Sequence, residues 1–424
     1  MRTKVFVATA SLFSITVLLG GMPAASATPK QPASVVIGVD HVDPANQDPQ
    51  HGRLFEYTDF FARSLTVHSG ETIDFRTAPG AFHIIGLASD VATARSAYPI
   101  AFPDEEQAVN GGPKIALGPS NFPVTGGSTS GGGDIAFDRP NGPPVCGRPD
   151  LNEPNCTFTG GNDVEIAGPN LNFDQQGNPL PADWNVTINA APGTYHFLCF
   201  IHPGMQGTLT VVPSKHPVSN QHSIDGRAQD QFAADRDAAV QAERAANVVS
   251  FTGGAPGTRT YWVHVGLGAA DNHVAIDEMF PNPQTVAGGP PVLTKGDSVR
   301  FVWADPHNLH STFFPAQPPD FSNDIQPFGF DCGSTFQAPG DGPPCTETGE
   351  APELILDPGT VAAGAVLTSP NDVFDSGVLA GTGYNIPGAV QQWSVTTNSS
   401  TGSGEYLFHC TIHDFMVGAF GVAS

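Results

Sequence analysis

Two stretches of this chain alternate apolar and polar residues in the same way. Residues 193–199 read GTYHFLC and residues 404–410 read GEYLFHC. Tyr195, Phe197 and Cys199 recur at every second position, as do Tyr406, Phe408 and Cys410. A period of two places such side chains on one face of a β-strand. The aromatic pair marks that face as buried, so each strand delivers a cysteine into a core at its end. Other strand signals surround them in both halves: SVVIGVD (34–40), SGETIDFRT (69–77), KGDSVRFVW (295–303), TLTVVP (208–213) and AFGVAS (419–424). DWNVTINAAPGTYHF (183–197) aligns with QWSVTTNSSTGSGEYLF (392–408), with Trp184 over Trp393. The halves therefore read as tandem repeats.

These elements predict an all-β chain of two tandem Greek-key β-sandwiches with long loop insertions. Gly and Pro contribute 48 and 40 of the 424 residues, a turn-rich composition that suits antiparallel sandwiches. The first sandwich is expected over residues 35–213, a linker over 214–247 and the second sandwich over 248–424. Within the linker, IDGRAQDQFAADRDAAVQAERAAN (224–247) predicts a helix of about 20 residues, N-capped by Ser223 or Asp225. Its apolar stripe is thin (Phe232, Val240), which makes it a surface spacer or a strut between domains. The insertions, 84–182 and 314–391, are rich in Gly and Pro and carry few strand signals. Loops of that length are commonly functional or partly disordered.

The strand ends carry the chemistry. Residues 193–207 and 404–418 both fit G-x-Y-x-F-x-C-x-I-H-x-x-M-x-G. Each copy gathers a thiolate, an imidazole and a thioether on one short loop: Cys199, His202, Met205 and Cys410, His413, Met416. Soft sulfur with imidazole suits copper, and a trigonal His₂Cys set with a weak axial Met is the blue-copper arrangement. Each site needs a second histidine. PGAFHIIG (79–86) offers His83 and DPHNLHSTFF (305–314) offers His307 and His310. His307 is preferred because its Pro-His-Asn run sits in the turn directly after a strand, and His310 is the second choice. Structural zinc is a poorer reading, since it wants four Cys or His ligands. A purely structural buried Cys beside a core Met is the other alternative.

This pattern resembles the cupredoxin family of type 1 (blue) copper proteins. The short Cys-x2-His-x2-Met loop is similar to its amicyanin/plastocyanin-like members, and PHNLHSTFF resembles their upstream ligand loop. AFHIIG lacks the Asn after its His. The resemblance implies two coppers per chain and an electron carrier, in which His202 and His413 reach the surface and pass the electron. It also leaves two alternatives. One is a copper enzyme resembling two-domain copper oxidases or nitrite reductases, where a His beside the Cys binds a further copper, as His409 or His196 would here. The chain has no His-x-His pair of the kind a trinuclear cluster needs, and His409, pointing away from the core face, reads as a surface residue. The other is copper storage or delivery, which five methionines support poorly.

Residues 1–27 read as a secretory signal: Arg2 and Lys4, an apolar run, and Ala25-Ser26-Ala27 before the cut, with a flexible leader over 28–34. A secreted location permits disulfides. Of the six cysteines, Cys146 with Cys156 and Cys332 with Cys345 are expected to bridge within their insertions. No later run is apolar and long enough to span a membrane. The net charge is −24, and loss of Arg2 and Lys4 takes the mature chain to −26. That excludes nucleic acid as a partner and suits either a basic redox protein, drawn in by steering, or general solubility in an acidic or salty medium. Asp414 stands beside His413 where Pro203 follows His202, so the second centre is expected to have the lower potential.

Overall fold

The computed structural model describes residues 34–41, 47–48, 52–53, 55–79, 83–97, 105–107, 113–116, 124–125, 134–137, 147, 155–160, 165–169, 171–173, 179–200, 202, 204–271, 273–305, 308–315, 328–331, 336–337, 353–356, 365–381, 389–410, 413 and 416–424. The expected signal segment lies outside them.

Alternation drives the first sandwich. In Asp183–Ile188 every second residue is buried (Trp184, Val186, Ile188), and Gly193–Cys199 buries Tyr195, Phe197 and Cys199. One sheet orders Cys156–Phe158, Asp183–Ile188, Thr72–Thr77, Ser34–Val39 and Phe60–Phe61. The facing sheet orders Glu165–Pro169, Ile84–Ala88, Gly193–Cys199, Gln206–Val212 and Ser64–His68. Parallel and antiparallel pairs mix in both, because strands that are neighbours in one sheet come from distant parts of the chain.

The second sandwich repeats the plan. Ala365–Val366, Gln392–Thr396, Ser298–Trp303, Thr260–Ala269 and Val274–Phe280 form one sheet, opposite Val292–Leu293, Val417–Val422, Gly404–His409, Phe313–Phe314 and Phe374–Asp375. The aromatic cores superpose in kind. Phe75 packs on Trp184 at 5.3 Å and Phe301 on Trp393 at 5.5 Å. Phe197 meets Phe60 at 4.8 Å, and Phe408 meets Phe314 at 5.3 Å. The hydroxyls of Tyr195 and Tyr406 each donate to the carbonyl four residues back, at 2.9 Å in both. Gly207 and Gly418 lie so close under the Phe197 and Phe408 rings that neither position has room for a Cβ.

Two features tie the sandwiches together. The short strand Phe55–Glu56, from the N-terminal half, pairs with Val274–Phe280 and completes the second sandwich's sheet. The linker helix runs over Gln221–Ala246 and is capped by Asn220, whose side chain accepts from the Ser223 N–H at 2.9 Å. The cap is thus neither Ser223 nor Asp225. Asn220 has the extended backbone and the side-chain oxygen a cap needs, and the helix starts earlier than the apolar residues signal. It is a strut: Phe232, Val240 and buried Ala239 pack with Phe55, Tyr57, Phe61, Val274, Ile276 and Phe280 in a third core. Arg63 on the first sandwich bonds Asp235 of the helix at 2.7 Å. Among the described parts of the insertions, Pro113–Ala116 of the first pairs with Glu353–Leu356 of the second, so strands form where Gly and Pro signalled loops. Among the described residues no helix is long and apolar enough to cross a membrane.

Candidate metal centres

In the first half, Cys199 ends the strand Gly193–Cys199 with no exposed surface. The chain then closes on itself. Cys199 N–H donates to the Met205 carbonyl at 2.9 Å, and Met205 N–H to the His202 carbonyl at 3.0 Å. Those bonds fold the loop so that Cys199, His202 and Met205 are all buried. His83 precedes the strand Ile84–Ala88, whose Ile85 stands opposite Cys199. That register carries His83 to the same point. The Nδ1 atoms of His83 and His202 are 3.0 Å apart, and they lie 3.7 and 3.5 Å from Cys199 Sγ. A point equidistant from three such atoms is about 2 Å from each, which is the range of metal–nitrogen and metal–sulfur bonds. The set fits a soft, trigonal ion.

The second half closes its loop with the same bonds: Cys410 N–H to the Met416 carbonyl at 3.0 Å and Met416 N–H to the His413 carbonyl at 2.9 Å. Cys410 Sγ lies 3.8 Å from His413 Nδ1 and 4.0 Å from His310 Nδ1. Among the described residues His310, the second choice, is the upstream imidazole of this group. Register supplies the reason. Phe313 stands opposite His409, so a residue two before the position facing Cys410 is His310, just as His83 is two before Ile85. The useful signal in the sequence was a His followed by an apolar strand start, HIIG and HSTFF, rather than the Pro-His-Asn turn. His307 itself lies outside the described residues. Gly266, with φ of 66°, sits against the His310 ring where a Cβ would collide with Nε2. The Ser311 N–H donates to Cys410 Sγ at 3.3 Å.

Pattern reading missed the carboxylates behind both upstream histidines. With Nδ1 turned to sulfur, Nε2–H of His83 donates to Asp40 at 3.3 Å, and Nε2–H of His310 donates to Asp305 at 3.1 Å. All four side chains are buried. Asp40 ends the strand Ser34–Val39 in the left-handed region, φ 61°, whereas Asp305 follows Ser298–Trp303. The two halves thus reach the same contact from different strands, so duplication alone does not account for it. Such a partner fixes the tautomer and ring orientation of a metal-binding imidazole. Burial works against charge on His83, but Asp40 and the Cys199 sulfur outweigh it and push its pKa up to about 9. Burial likewise opposes the Cys199 thiolate, yet the adjacent His202 and His83 imidazoles hold the thiol well below its usual range. Around His310 the acid is denser. Asn308 donates to Glu56 at 3.0 Å and to Asp277 at 3.1 Å. Burial and the nearby Glu56 raise Asp277 well above a normal carboxyl.

The sites differ in exposure. His202 is only 5% exposed, contrary to the expected surface position, while His413 is partly exposed. His409 is fully buried against Phe313, with ring centroids 5.6 Å apart, and so is not the surface residue its outward phase implied. The second sheet is covered there. Neither His409 nor His196 joins a group of potential ligands among the described residues. Among those residues Cys199 and Cys410 form no disulfide, whereas Cys156 is disulfide-bonded. Cys146, Cys332 and Cys345 lie outside them.

No family model matches the chain, and no curated protein matches it significantly. Solved structures similar to it include auracyanin B, at 16% identity, covering 44% of this chain and 94% of that one with a TM-score of 0.21. Auracyanin A, a "blue" copper protein from Chloroflexus aurantiacus, matches at 18% identity over 43% of this chain and 99% of that one, TM-score 0.20. A Cu-containing nitrite reductase from Thermus scotoductus SA-01 matches at 11% identity over 92% of this chain and 68% of that one, TM-score 0.19. TM-scores of this size carry no argument about function. The fold itself is cupredoxin-like: two-sheet sandwiches, each bringing a Cys at a strand end beside a His from the neighbouring strand.

Proposed function

We propose that the chain is an exported copper protein with one type 1 centre per sandwich, which moves single electrons. The observation that carries this is the duplicated donor set: His83, Cys199, His202 with buried Met205, and His310, Cys410, His413 with buried Met416. Two imidazoles, one thiolate and a thioether are the set that favours copper over zinc or a hard cation. Copper bound there supplies one-electron chemistry between Cu(II) and Cu(I).

The residues hold the donors and do little else. Asp40 and Asp305 orient the upstream rings, and the paired backbone bonds lock the Cys-to-Met loops. The apolar cores of Phe75, Phe197, Phe301 and Phe408 keep water from the sulfur side. A rigid, closed site of this kind disfavours substrate binding and favours electron exchange, so a carrier fits better than an enzyme. The charge of −24 supports a basic redox protein as partner, and the signal-like N-terminus supports export. The Cys146–Cys156 and Cys332–Cys345 bridges belong to the same proposal.

The test is copper content and the visible spectrum. Two coppers per chain with thiolate charge-transfer absorption are expected. Cys199→Ala and Cys410→Ala should each remove one copper and about half of the band. A mutant that keeps the full band would refute its site.

A further inference from the structure

The two ligand groups are joined by an unbroken path through the protein. From the first, His83 Nε2–H donates to Asp40 Oδ2 at 3.3 Å, and Asp40 Oδ1 accepts the Tyr57 N–H at 3.2 Å. The Tyr57 nitrogen is covalently bonded to Glu56. Glu56 Oε2 accepts from Asn308 Nδ2 at 3.0 Å, and the Asn308 N–H donates to Asp305 Oδ1 at 3.3 Å. Asp305 Oδ2 then accepts from His310 Nε2–H at 3.1 Å. Every step is a covalent bond or a hydrogen bond. Asp40, Tyr57, Asp305 and Asn308 are buried. The crossing depends on the strand Phe55–Glu56, which sits in the second sandwich's sheet while its neighbour Tyr57 touches Asp40.

Exposure gives this path a direction. The first group is nearly covered, with His202 5% exposed. The second is more open, through the partly exposed His413. An electron-transfer centre so covered gains from an internal route. Bonded paths carry tunnelling electrons better than gaps of equal length, because each bond offers orbitals of lower barrier than empty space. Asp305 and His310 of the cluster Asp277, Asp305 and His310 lie on this path, and Asp277 flanks it by accepting from Asn308 Nδ2 at 3.1 Å.

We propose that Asp40, Tyr57, Glu56, Asn308 and Asp305 conduct electrons between the two centres, so that the second exchanges electrons with an outside protein and the first exchanges them only through the second. This rests on the copper reading above. The balance is one electron, which would leave a copper held by His310, Cys410 and His413 and arrive at one held by His83, Cys199 and His202. No proton or other bond changes. The donor to the second centre is a one-electron redox protein.

The path is tested in the full holo-protein carrying Met416→Gln, which alters the axial donor of the second centre alone and separates the two spectra. After a substoichiometric reducing pulse, the second centre should bleach first. The first should follow in a phase whose rate does not depend on protein concentration. Asn308→Leu should abolish that phase while copper content and both bands persist, and Glu56→Gln, which keeps the acceptor oxygen, should retain it. If Asn308→Leu loses copper, Glu56→Leu cuts the path farther from the ligands and reads the same way. An undiminished phase in the cut variants overturns the proposal. So does direct reduction of the first centre by the donor, at the rate of the second, in Cys410→Ala protein. Absence of thiolate bands in the unmutated protein would instead overturn the copper reading itself, and the path with it.

Discussion

The two centres share a loop and differ in their surroundings. Both close the Cys-to-Met loop with the same pair of backbone bonds, and both turn Nδ1 of an upstream His toward sulfur. Around that common frame, the first has one buried carboxylate, Asp40, and a covered His202. The second has Glu56, Asp277 and Asp305 near His310 and a partly exposed His413. The repeat specifies the donors, and the non-repeated residues decide charge and access. Asp414, on which the expected lower potential of the second centre rests, lies outside the described residues.

The strongest way to sharpen this likeness is to swap the disputed histidines. His310→Ala should empty the second centre, leaving one copper per chain by metal analysis, whereas His307→Ala should keep two. The reverse result would break the register equivalence of His83 and His310. A smaller effect is expected behind the ligands. Asp40→Asn and Asp305→Asn should each weaken copper at its own centre by about 10–100-fold, the usual cost of losing an outer partner of a ligand imidazole. Competitive chelator titration would show it. If only one variant weakens binding, the two carboxylates do not play the same part.

The smallest effect separates the sandwiches by acidity. Burial first, then the nearby Glu243, raises Glu278 from 4.5 to about 7 despite its bond to Asn282. The folded protein therefore binds this proton more tightly than the unfolded chain. The resulting stability is full below pH 4.5 and is lost as pH rises through about 7. Its slope is at most about 1.4 kcal/mol per pH unit for one proton. Denaturant melts from pH 5 to 8 should show the loss, and Glu278→Gln should flatten it. An unchanged slope in that variant would assign the dependence to other groups, such as Asp59, which burial also raises to about 7.

Much of the sandwich was readable because it is local. Tyr195, Phe197 and Cys199 share a face by the geometry of one strand, and Cys-x2-His-x2-Met needs one loop. Trp184 and Trp393 could be paired by alignment alone. What escaped is what depends on register and distance. The choice between His307 and His310 rests on which residue faces Cys410 across a sheet, and no local pattern contains that. Asp40 is 43 positions from the His83 it supports, and nothing near it in the chain marks it as more than a strand end. His409 alternates outward correctly, yet the surface it faces is covered by other chain segments. The helix was found, but its Asn220 cap lay upstream of the apolar residues used to locate it.

The strand Phe55–Glu56 has a consequence for how the protein is made. During synthesis this segment leaves the ribosome long before Val274–Phe280, with which it pairs. Contacts between such distant parts of a chain form slowly. Until they form, a short apolar edge stays exposed and prone to mispairing, either with another molecule or within its own half. The first sandwich can gather its own core early, but the second sheet can be completed only by folding back onto a segment already made. The molecule therefore matures as one piece. A chain split within the linker would be expected to yield a C-terminal half with a bare sheet edge, recovering only when the N-terminal half is supplied.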